Sequence, residues 1–218
     1  MKKQLVSFRE FLKTGTLGPI STDIRMIEVA ASLGVPDYWT TDSAVAVPVY
    51  WGFGKLEICF AEDSPHRISW FQIEHAGYLE GEFEIITAEL ALALDGLTGS
   101  TKPSEFLSAG IWEPESTAVY CTTLSGDVML NICAGNIQIH FQVKLDQEIE
   151  KGIKDNYMDR SFYNIINKID SNTLIDSIYS YNKNAKSEIP STLDWEMMTG
   201  RDYLDRLHKL AASETDAD

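Results

Sequence analysis

The sequence is short of basic side chains. It has 18 Lys and Arg against 33 Asp and Glu, which gives a formal net charge of -15 over 218 residues. A surface this acidic repels phosphate backbones and anionic lipid head groups. We therefore expect binding to neither nucleic acid nor a membrane surface, whereas a basic protein partner would be attracted. The alternative is that the acidity only keeps the protein soluble.

The sequence also lacks a long hydrophobic run. No stretch approaches the roughly 20 apolar residues that a transmembrane helix needs. Lys2 and Lys3 mimic the basic start of a signal peptide, but the charged residues Arg9, Glu10 and Lys13 follow where its apolar core would stand. We therefore expect the protein to stay in the cytoplasm.

Cysteine is scarce, and the histidines are scattered. Cys59, Cys121 and Cys133 are widely spaced, and each falls in a predicted strand. They form no Cys-x-x-Cys pair, so we expect buried or half-buried thiols and no disulfide framework. No two histidines have the close spacing of zinc ligands, and we predict no metal and no cofactor. The histidines are His66, His75, His140 and His208.

Catalytic sequence motifs are missing as well. The stretch "GFGKLE" at 52–57 has one residue between its glycines, where a phosphate-binding loop has four and continues into a helix. The serine–glycine pairs lack the spacing of a hydrolase nucleophile turn. A Cys–His pair that meets only in the folded chain stays open.

Apolar residues do recur with clear periods. A spacing of three to four predicts a helix over 4–14 and a second helix that starts at Ser21, Thr22 or Asp23. The apolar stripe of the second helix is Ile24, Ile27 and Ala31, widened by Met26, Ala30 and Leu33. Alternation predicts strands from residue 44 onwards, with Pro48 marking an edge or a bulge. A helix starts near Pro103, and 83–94 is a strand with a helix as its competitor. The remaining predicted strands are 55–61, 67–74, 117–123, 127–133 and 136–143.

This order of elements predicts an α+β fold. We expect one α+β domain over 1–148, an antiparallel sheet with helices packed on one face, built from two weakly repeated halves at about 1–95 and 96–148. We expect residues 149–218 to be a helical extension packed on this domain. Its helices are predicted over 151–170, 172–186 and 199–213, the last capped by Thr199. Its apolar stripe is Tyr157, Phe162, Ile165, Ile166 and Ile169.

Residues 8–75 resemble a group of short bacterial proteins in which two glycine-ended helices precede a strand, a glycine turn and a strand. The matching residues are Gly18, Pro19, Leu33, Gly34, Pro36, Tyr50, Gly54, Leu56, Glu57 and Phe60. The layout is similar to that of the outer-membrane assembly lipoprotein BamE and of beta-lactamase inhibitor protein. The resemblance implies a binding scaffold, and cytosolic proteins of this kind look like immunity proteins that cover a toxin.

Aromatic residues crowd the region from 38 to 71 and supply candidate contacts. Because binding residues concentrate in loops, we predict that the protein binds a basic partner, a candidate toxin, through loop residues. These are Asp37, Tyr38, Trp39, Asp42, Glu62 and Asp63. The alternative is a hydrolytic enzyme, with a site assembled from scattered histidines and carboxylates.

Overall fold

A computed structural model of the protein describes residues 3–41, 48–62, 65–124, 127–156, 162, 165–182 and 196–215. These residues form six α-helices and twelve strands, and they confirm the predicted α+β class. The helices are α1 Phe8–Thr14, α2 Met26–Leu33, α3 Pro103–Ser108, α4 Gln147–Asn156, α5 Ile166–Ser171 and α6 Gly200–Thr215. The strands are β1 Gln4–Ser7, β2 Tyr38–Thr41, β3 Pro48–Phe53, β4 Leu56–Phe60, β5 Ile68–Ile73, β6 Phe83–Ile85, β7 Leu90–Ala93, β8 Ala118–Leu124, β9 Asp127–Ala134, β10 Ile137–Val143, β11 Thr173–Tyr181 and β12 Met198–Thr199.

The strands of the described ranges form two sheets. The larger has nine strands in the order β12-β8-β9-β10-β11-β5-β4-β3-β2, and it is antiparallel. The smaller has the order β1-β7-β6, in which β1 runs parallel to β7. The alternation that predicted β4, β5, β8, β9 and β10 is typical of antiparallel strands with one buried face.

The chain divides into two compact units, and the first comprises Met1–Gly99, Asn136–Gln138 and Ser177–Ser187. In this unit α1 buries Phe8, Phe11 and Leu12. The ring of Phe11 lies 5.9 Å from the ring of Phe71 on β5. Helix α1 therefore covers one face of the sheet in this unit, and the side chains of the other face are available for a different role.

The second unit comprises Ser100–Gly135, Ile139–Asp176 and Glu188–Asp218. Helix α3 begins at Pro103 as predicted, and its Phe106 ring packs 5.8 Å from that of Phe141 on β10. Helix α6 follows Thr199, whose Oγ1 accepts a hydrogen bond from the Asp202 N–H at 3.1 Å. The Asp202 carboxylate accepts one from the Thr199 N–H at 3.2 Å. This reciprocal cap confirms the predicted helix start.

Two segments predicted as helices contain strands. Residues 4–7 form β1, because they pair with β7, and the helix starts only at Phe8. Residues 173–181 form β11, which lies between β10 and β5 in the sheet and pairs with β5 through residues 178–181. The helical prediction for 172–186 is therefore wrong wherever the structure describes that range.

The predicted start of α2 was also wrong, and its predicted buried face was right only in part. The helix begins at Met26 instead of near residues 21–23, and the Glu28 carboxylate accepts from the Arg25 N–H at 2.8 Å. Its buried residues are Val29 and Leu33, of which Leu33 belonged to the predicted stripe, whereas Ile27 of the same stripe is 69% exposed.

The remaining corrections concern position in the sheet. Pro48 opens β3, which lies between β2 and β4 and is not an edge strand, but the register shifts between the pairs Thr40–Tyr50 and Thr41–Pro48, in keeping with the predicted bulge. Residues 83–94 are not helical, but they form two strands, β6 and β7, that pair with each other instead of the single strand predicted. The weak internal repeat is not confirmed.

The segment after residue 148 contains β11 and β12 besides α4, α5 and α6, and it contributes to both units. Its predicted apolar stripe is buried at every described position, while Tyr157 lies outside the described residues. The buried members are Phe162, Ile165, Ile166 and Ile169.

Candidate partner-binding surface

In the first unit, the sheet face opposite α1 collects aromatic and acidic side chains. Residues directly opposite one another on antiparallel strands share a face. The register gives one row across β2, β3, β4, β5 and β11: Tyr38, Gly52, Glu57, Gln72 and Tyr179. The next row on the same face is Thr40, Tyr50, Cys59, Trp70 and Tyr181. We define the aromatic–acidic face as Tyr38, Tyr50, Glu57, Trp70, Glu74, Tyr179 and Tyr181.

A tyrosine hydroxyl on this face lies between two carboxylates. Tyr38 Oη is 3.3 Å from Glu57 Oε2 and 3.2 Å from Glu74 Oε2. The phenol has a single proton to donate, so the two negative charges share one donor. Gln72 Nε2 donates to the other oxygen of Glu57 at 2.9 Å. Among the described residues, no Lys, Arg or His lies within ion-pair distance of either glutamate.

The environment of Tyr38 keeps its hydroxyl protonated. Burial raises the pKa of Tyr38 well above its usual value, and the negative charges of Glu74 and Glu57 raise it further. The hydroxyl is therefore a hydrogen-bond donor at physiological pH.

The position of the Tyr38 ring depends on a glycine in the neighbouring strand. A Cβ placed on Gly52 would lie only 1.9 Å from Tyr38 Cε1, far inside van der Waals contact. The missing side chain at Gly52 thus lets the ring lie against β3 and lets its hydroxyl reach Glu57 and Glu74.

Four further aromatic rings extend the face. The ring centroid of Trp70 lies 5.6 Å from that of Tyr50 and 5.4 Å from that of Tyr179. Tyr179 in turn stacks on Tyr181 at 5.4 Å, with an angle of 11° between the ring planes. These spacings are those of attractive aromatic pairs. The rings are half-buried, so each keeps some surface open to solvent, and aromatic ring faces attract cations.

Trp39 belongs to the opposite face of the sheet, because successive side chains of a strand alternate. It pairs with Trp51, whose ring lies 4.9 Å from that of the buried Phe60. Trp39 is nevertheless 60% exposed. Strand β2 is the last in the sheet, and within the described ranges no strand pairs with its outer side.

Two of the predicted partner-binding residues were assigned to the wrong kind of segment. Tyr38 and Trp39 were expected in a loop, but they lie in β2 because this segment pairs with β3. Tyr38 joins the aromatic–acidic face, whereas Trp39 contributes an exposed ring at the edge of the same sheet.

The other four predicted residues lie apart from this face or outside the described residues. The Asp37 carboxylate accepts from the Gly54 N–H at 2.7 Å and so supports the turn between β3 and β4. Glu62 is exposed just after β4. Asp42 and Asp63 lie outside the described residues.

Sequence reasoning missed most of the aromatic–acidic face. Glu57 could have been found, because it alternates with the buried Leu56 and Ile58 and must lie on the other side of β4. Glu74 could have been found likewise, because it ends the predicted strand 67–74 directly after the buried Ile73, whereas Tyr179 gave no such signal. Its position depends on pairing with a segment distant in sequence, and it lies in a segment predicted as helical.

Of the four histidines of the alternative enzyme hypothesis, His208 lines a cavity that also holds Asp170 and Glu105, whereas the other three belong to other segments. His66 Nδ1 is 3.1 Å from the Ala61 carbonyl oxygen, and His75 is exposed beside Tyr78. Burial lowers the pKa of His140 in β10 to about 4. No group of three or more His, Cys, Asp or Glu in the described ranges is arranged to hold a metal ion.

The thiols agree with their sequence prediction. Cys59 and Cys121 are buried and Cys133 is half-buried, and all three are free cysteines in strands. Burial raises the pKa of Cys133 to about 11, although its hydrogen bond with Tyr120 opposes this shift. Across the ranges described, we find no helix with the length and hydropathy required to cross a membrane.

No protein-family model matches the chain, and no curated protein or solved structure matches it. The resemblance to immunity-type proteins thus stays a prediction from residues 8–75.

Proposed function

We propose that this protein is a binding protein that covers a basic protein partner, and that the aromatic–acidic face is its contact surface. The carrying observation is the pair Glu57 and Glu74 on either side of the Tyr38 hydroxyl, with no cation at ion-pair distance among the described residues. Neighbouring carboxylates repel one another, and a cation between them removes that repulsion.

An arginine or lysine of the partner provides such a cation. A guanidinium group offers five N–H donors in one plane, enough to bond both carboxylates at once. The half-buried rings beside them, above all Trp70 and Tyr179, give the same side chain a surface for cation–π contact and for packing of its aliphatic stem. Carboxylates next to aromatic rings therefore favour a basic, protein-like ligand.

The net charge of -15 supports the same partner. Opposite charges speed the encounter of two proteins, and this attraction weakens as salt is added. Aromatic residues buried on binding account for much of the stability of protein complexes. The exposed ring of Trp39, at the edge of the same sheet, is available to act in this way.

Within this class we propose a toxin as the partner, with the protein acting as an immunity-type inhibitor in the cytoplasm. The sequence resemblance of residues 8–75 supports the immunity role. The free thiols of Cys59, Cys121 and Cys133 are in keeping with a reducing compartment.

The test uses calorimetric titration of the full chain with a short peptide of alternating Arg and Ser. The Glu57→Gln/Glu74→Gln variant should bind about tenfold more weakly than the wild type, equivalent to about 1.4 kcal/mol. Its matched control is Glu80→Gln/Glu82→Gln, which makes the same change in net charge at exposed positions outside the face. Equal weakening in both variants would show that net charge alone attracts the peptide, and absence of binding to the wild type would also contradict the proposal.

Kinetic measurements on the same peptide distinguish residues that speed association from residues that slow dissociation. Trp39→Ala should raise the dissociation rate with little change in association. Glu62→Lys should mainly slow association and weaken its salt dependence. If neither rate changes in either variant, Trp39 and Glu62 take no part in binding.

A further inference from the structure

The second unit contains a cavity of about 390 Å³ between three of its helices. Its lining consists of Ser104, Glu105 and Ser108 of α3, Asn167, Asp170 and Ser171 of α5, and Leu204, Leu207 and His208 of α6. The cavity is unrelated to the aromatic–acidic face, since none of its lining residues belongs to that face or to the first unit.

Asp170 is the buried acidic group of this cavity, with only 6% of its surface exposed. Its Oδ1 accepts from the Ser104 N–H at 2.9 Å and from the Tyr203 hydroxyl at 3.0 Å. Its Oδ2 accepts from the Ser104 hydroxyl at 2.8 Å. All three donors are neutral, and no Lys, Arg or His of the described ranges lies within ion-pair distance of Asp170. A buried carboxylate of this kind lacks a counter-charge.

The polar groups around Asp170 leave acceptors facing the cavity. The Ser104 hydroxyl proton is used on Asp170, and the Ser171 hydroxyl donates to the Asn167 carbonyl oxygen at 2.8 Å. Glu105 accepts from the Lys102 N–H through Oε2, which leaves Oε1 for a further bond. A hydroxyl oxygen whose proton is committed still has lone pairs, and an ionised carboxylate is an acceptor only. A ligand that bonds to Asp170, Ser104 and Glu105 must therefore bring hydrogen-bond donors, while Asn167 and the exposed His208 line another part of the cavity.

We propose that this cavity binds a small organic ammonium compound, a primary amine with a short apolar body. Its –NH₃⁺ group supplies three donors and the missing positive charge at Asp170, with Ser104 and Glu105 as further acceptors. Its apolar part packs against Leu204 and Leu207. The neutral alcohol of the same shape brings one donor and no charge, so the cavity discriminates between the two.

The experiment titrates the isotopically labelled full chain with benzylamine and, separately, with benzyl alcohol, and follows backbone amide resonances. Benzylamine should shift resonances of α3, α5 and α6, and its Kd should be at least about tenfold below that of benzyl alcohol. Equal affinity for the two compounds, or no benzylamine-dependent shift in these helices, overturns the proposal.

Two variants localise the effect. In Asp170→Asn the amide oxygen can still accept from Ser104 N–H and Tyr203, and its NH₂ can donate to the Ser104 hydroxyl oxygen, so the fold should survive while the charge is lost. Benzylamine affinity should then fall by about tenfold or more. Ser108→Phe fills the cavity from an exposed lining position and should block the amine without touching the carboxylate. If either folded variant binds benzylamine as well as the wild type, the assignment is wrong.

Discussion

The buried hydrogen bond between Tyr203 and Asp170 offers the sharpest test of how the second unit is held together. Tyr203 is completely buried on α6, and its hydroxyl donates to Asp170 of α5 at 3.0 Å. Burial, followed by the charge of Asp170, raises the pKa of Tyr203 well above its ordinary value. The hydroxyl therefore stays protonated, and remains a hydrogen-bond donor, at neutral pH. Tyr203→Phe removes this bond, and Asp170→Ala removes its acceptor.

The two changes should have unequal costs. A hydrogen bond to a charged group contributes about 1.5–3 kcal/mol, which is the expected loss in Tyr203→Phe. Asp170→Ala should cost more, about 3–5 kcal/mol, because it leaves the buried Tyr203 hydroxyl without an acceptor and also removes both bonds from Ser104. In the double variant the orphaned hydroxyl is gone. Its cost should therefore fall short of the sum of the single costs by about 1–2 kcal/mol.

Urea unfolding at neutral pH measures these free energies, and hydrogen exchange of the α6 amides shows whether the loss is local. The control is Tyr78→Phe, which removes the hydroxyl of a tyrosine that is 74% exposed and should change stability by no more than about 0.5 kcal/mol. The reasoning is refuted if Tyr203→Phe is as mild as this control, or if the costs of the two single variants simply add.

Two further predictions concern pH and backbone geometry. Burial lowers the pKa of His140 to about 4, although the negative charge of Asp176 opposes this shift. Between pH 6.5 and 4, His140 is therefore protonated in the unfolded chain but neutral in the folded chain. The free energy of unfolding is therefore not reduced by His140 above about pH 7, and it falls by at most about 3 kcal/mol as the pH drops from about 6.5 towards 4. Urea unfolding at several pH values should show a weaker pH dependence for His140→Gln than for the wild type. The same pH dependence in both proteins would argue against this assignment. Gly54 and Gly135 both have positive φ, 58° and 61°, but a Cβ on Gly54 would lie 2.5 Å from the Ile86 carbonyl oxygen, whereas a Cβ on Gly135 meets nothing. Gly54→Ala should thus cost about 1–2 kcal/mol more than Gly135→Ala in the same assay, and equal costs would mean that the backbone at Ile86 can move aside.

Much of the fold could be predicted because its signals are local. The alternation of Leu56, Ile58 and Phe60 against polar neighbours is sufficient to predict β4 and its buried side. In the same way Pro103 and Thr199 mark the starts of α3 and α6 through bonds or steric effects within one helical turn. Such features need no knowledge of what lies across the sheet.

The elements that were missed depend on distant partners. The segments of β1 and β11 carry apolar residues at spacings compatible with a helix, and only pairing with β7 and β5 decides that they are extended. Strand β2 consists of four exposed residues, so no buried side could reveal it. Intrinsic propensities are weak beside tertiary pairing of this kind.

The candidate surface likewise has features that follow from the sequence and features that depend on strand pairing. The sequence by itself determined the acidity, the aromatic enrichment and the candidacy of Tyr38. Only the tertiary structure decided that Tyr38 lies between Glu57 and Glu74 and that Trp39 belongs to the opposite face. The physical reason is register, because a shift of one residue in any of these pairings would move every side chain of that strand to the other face.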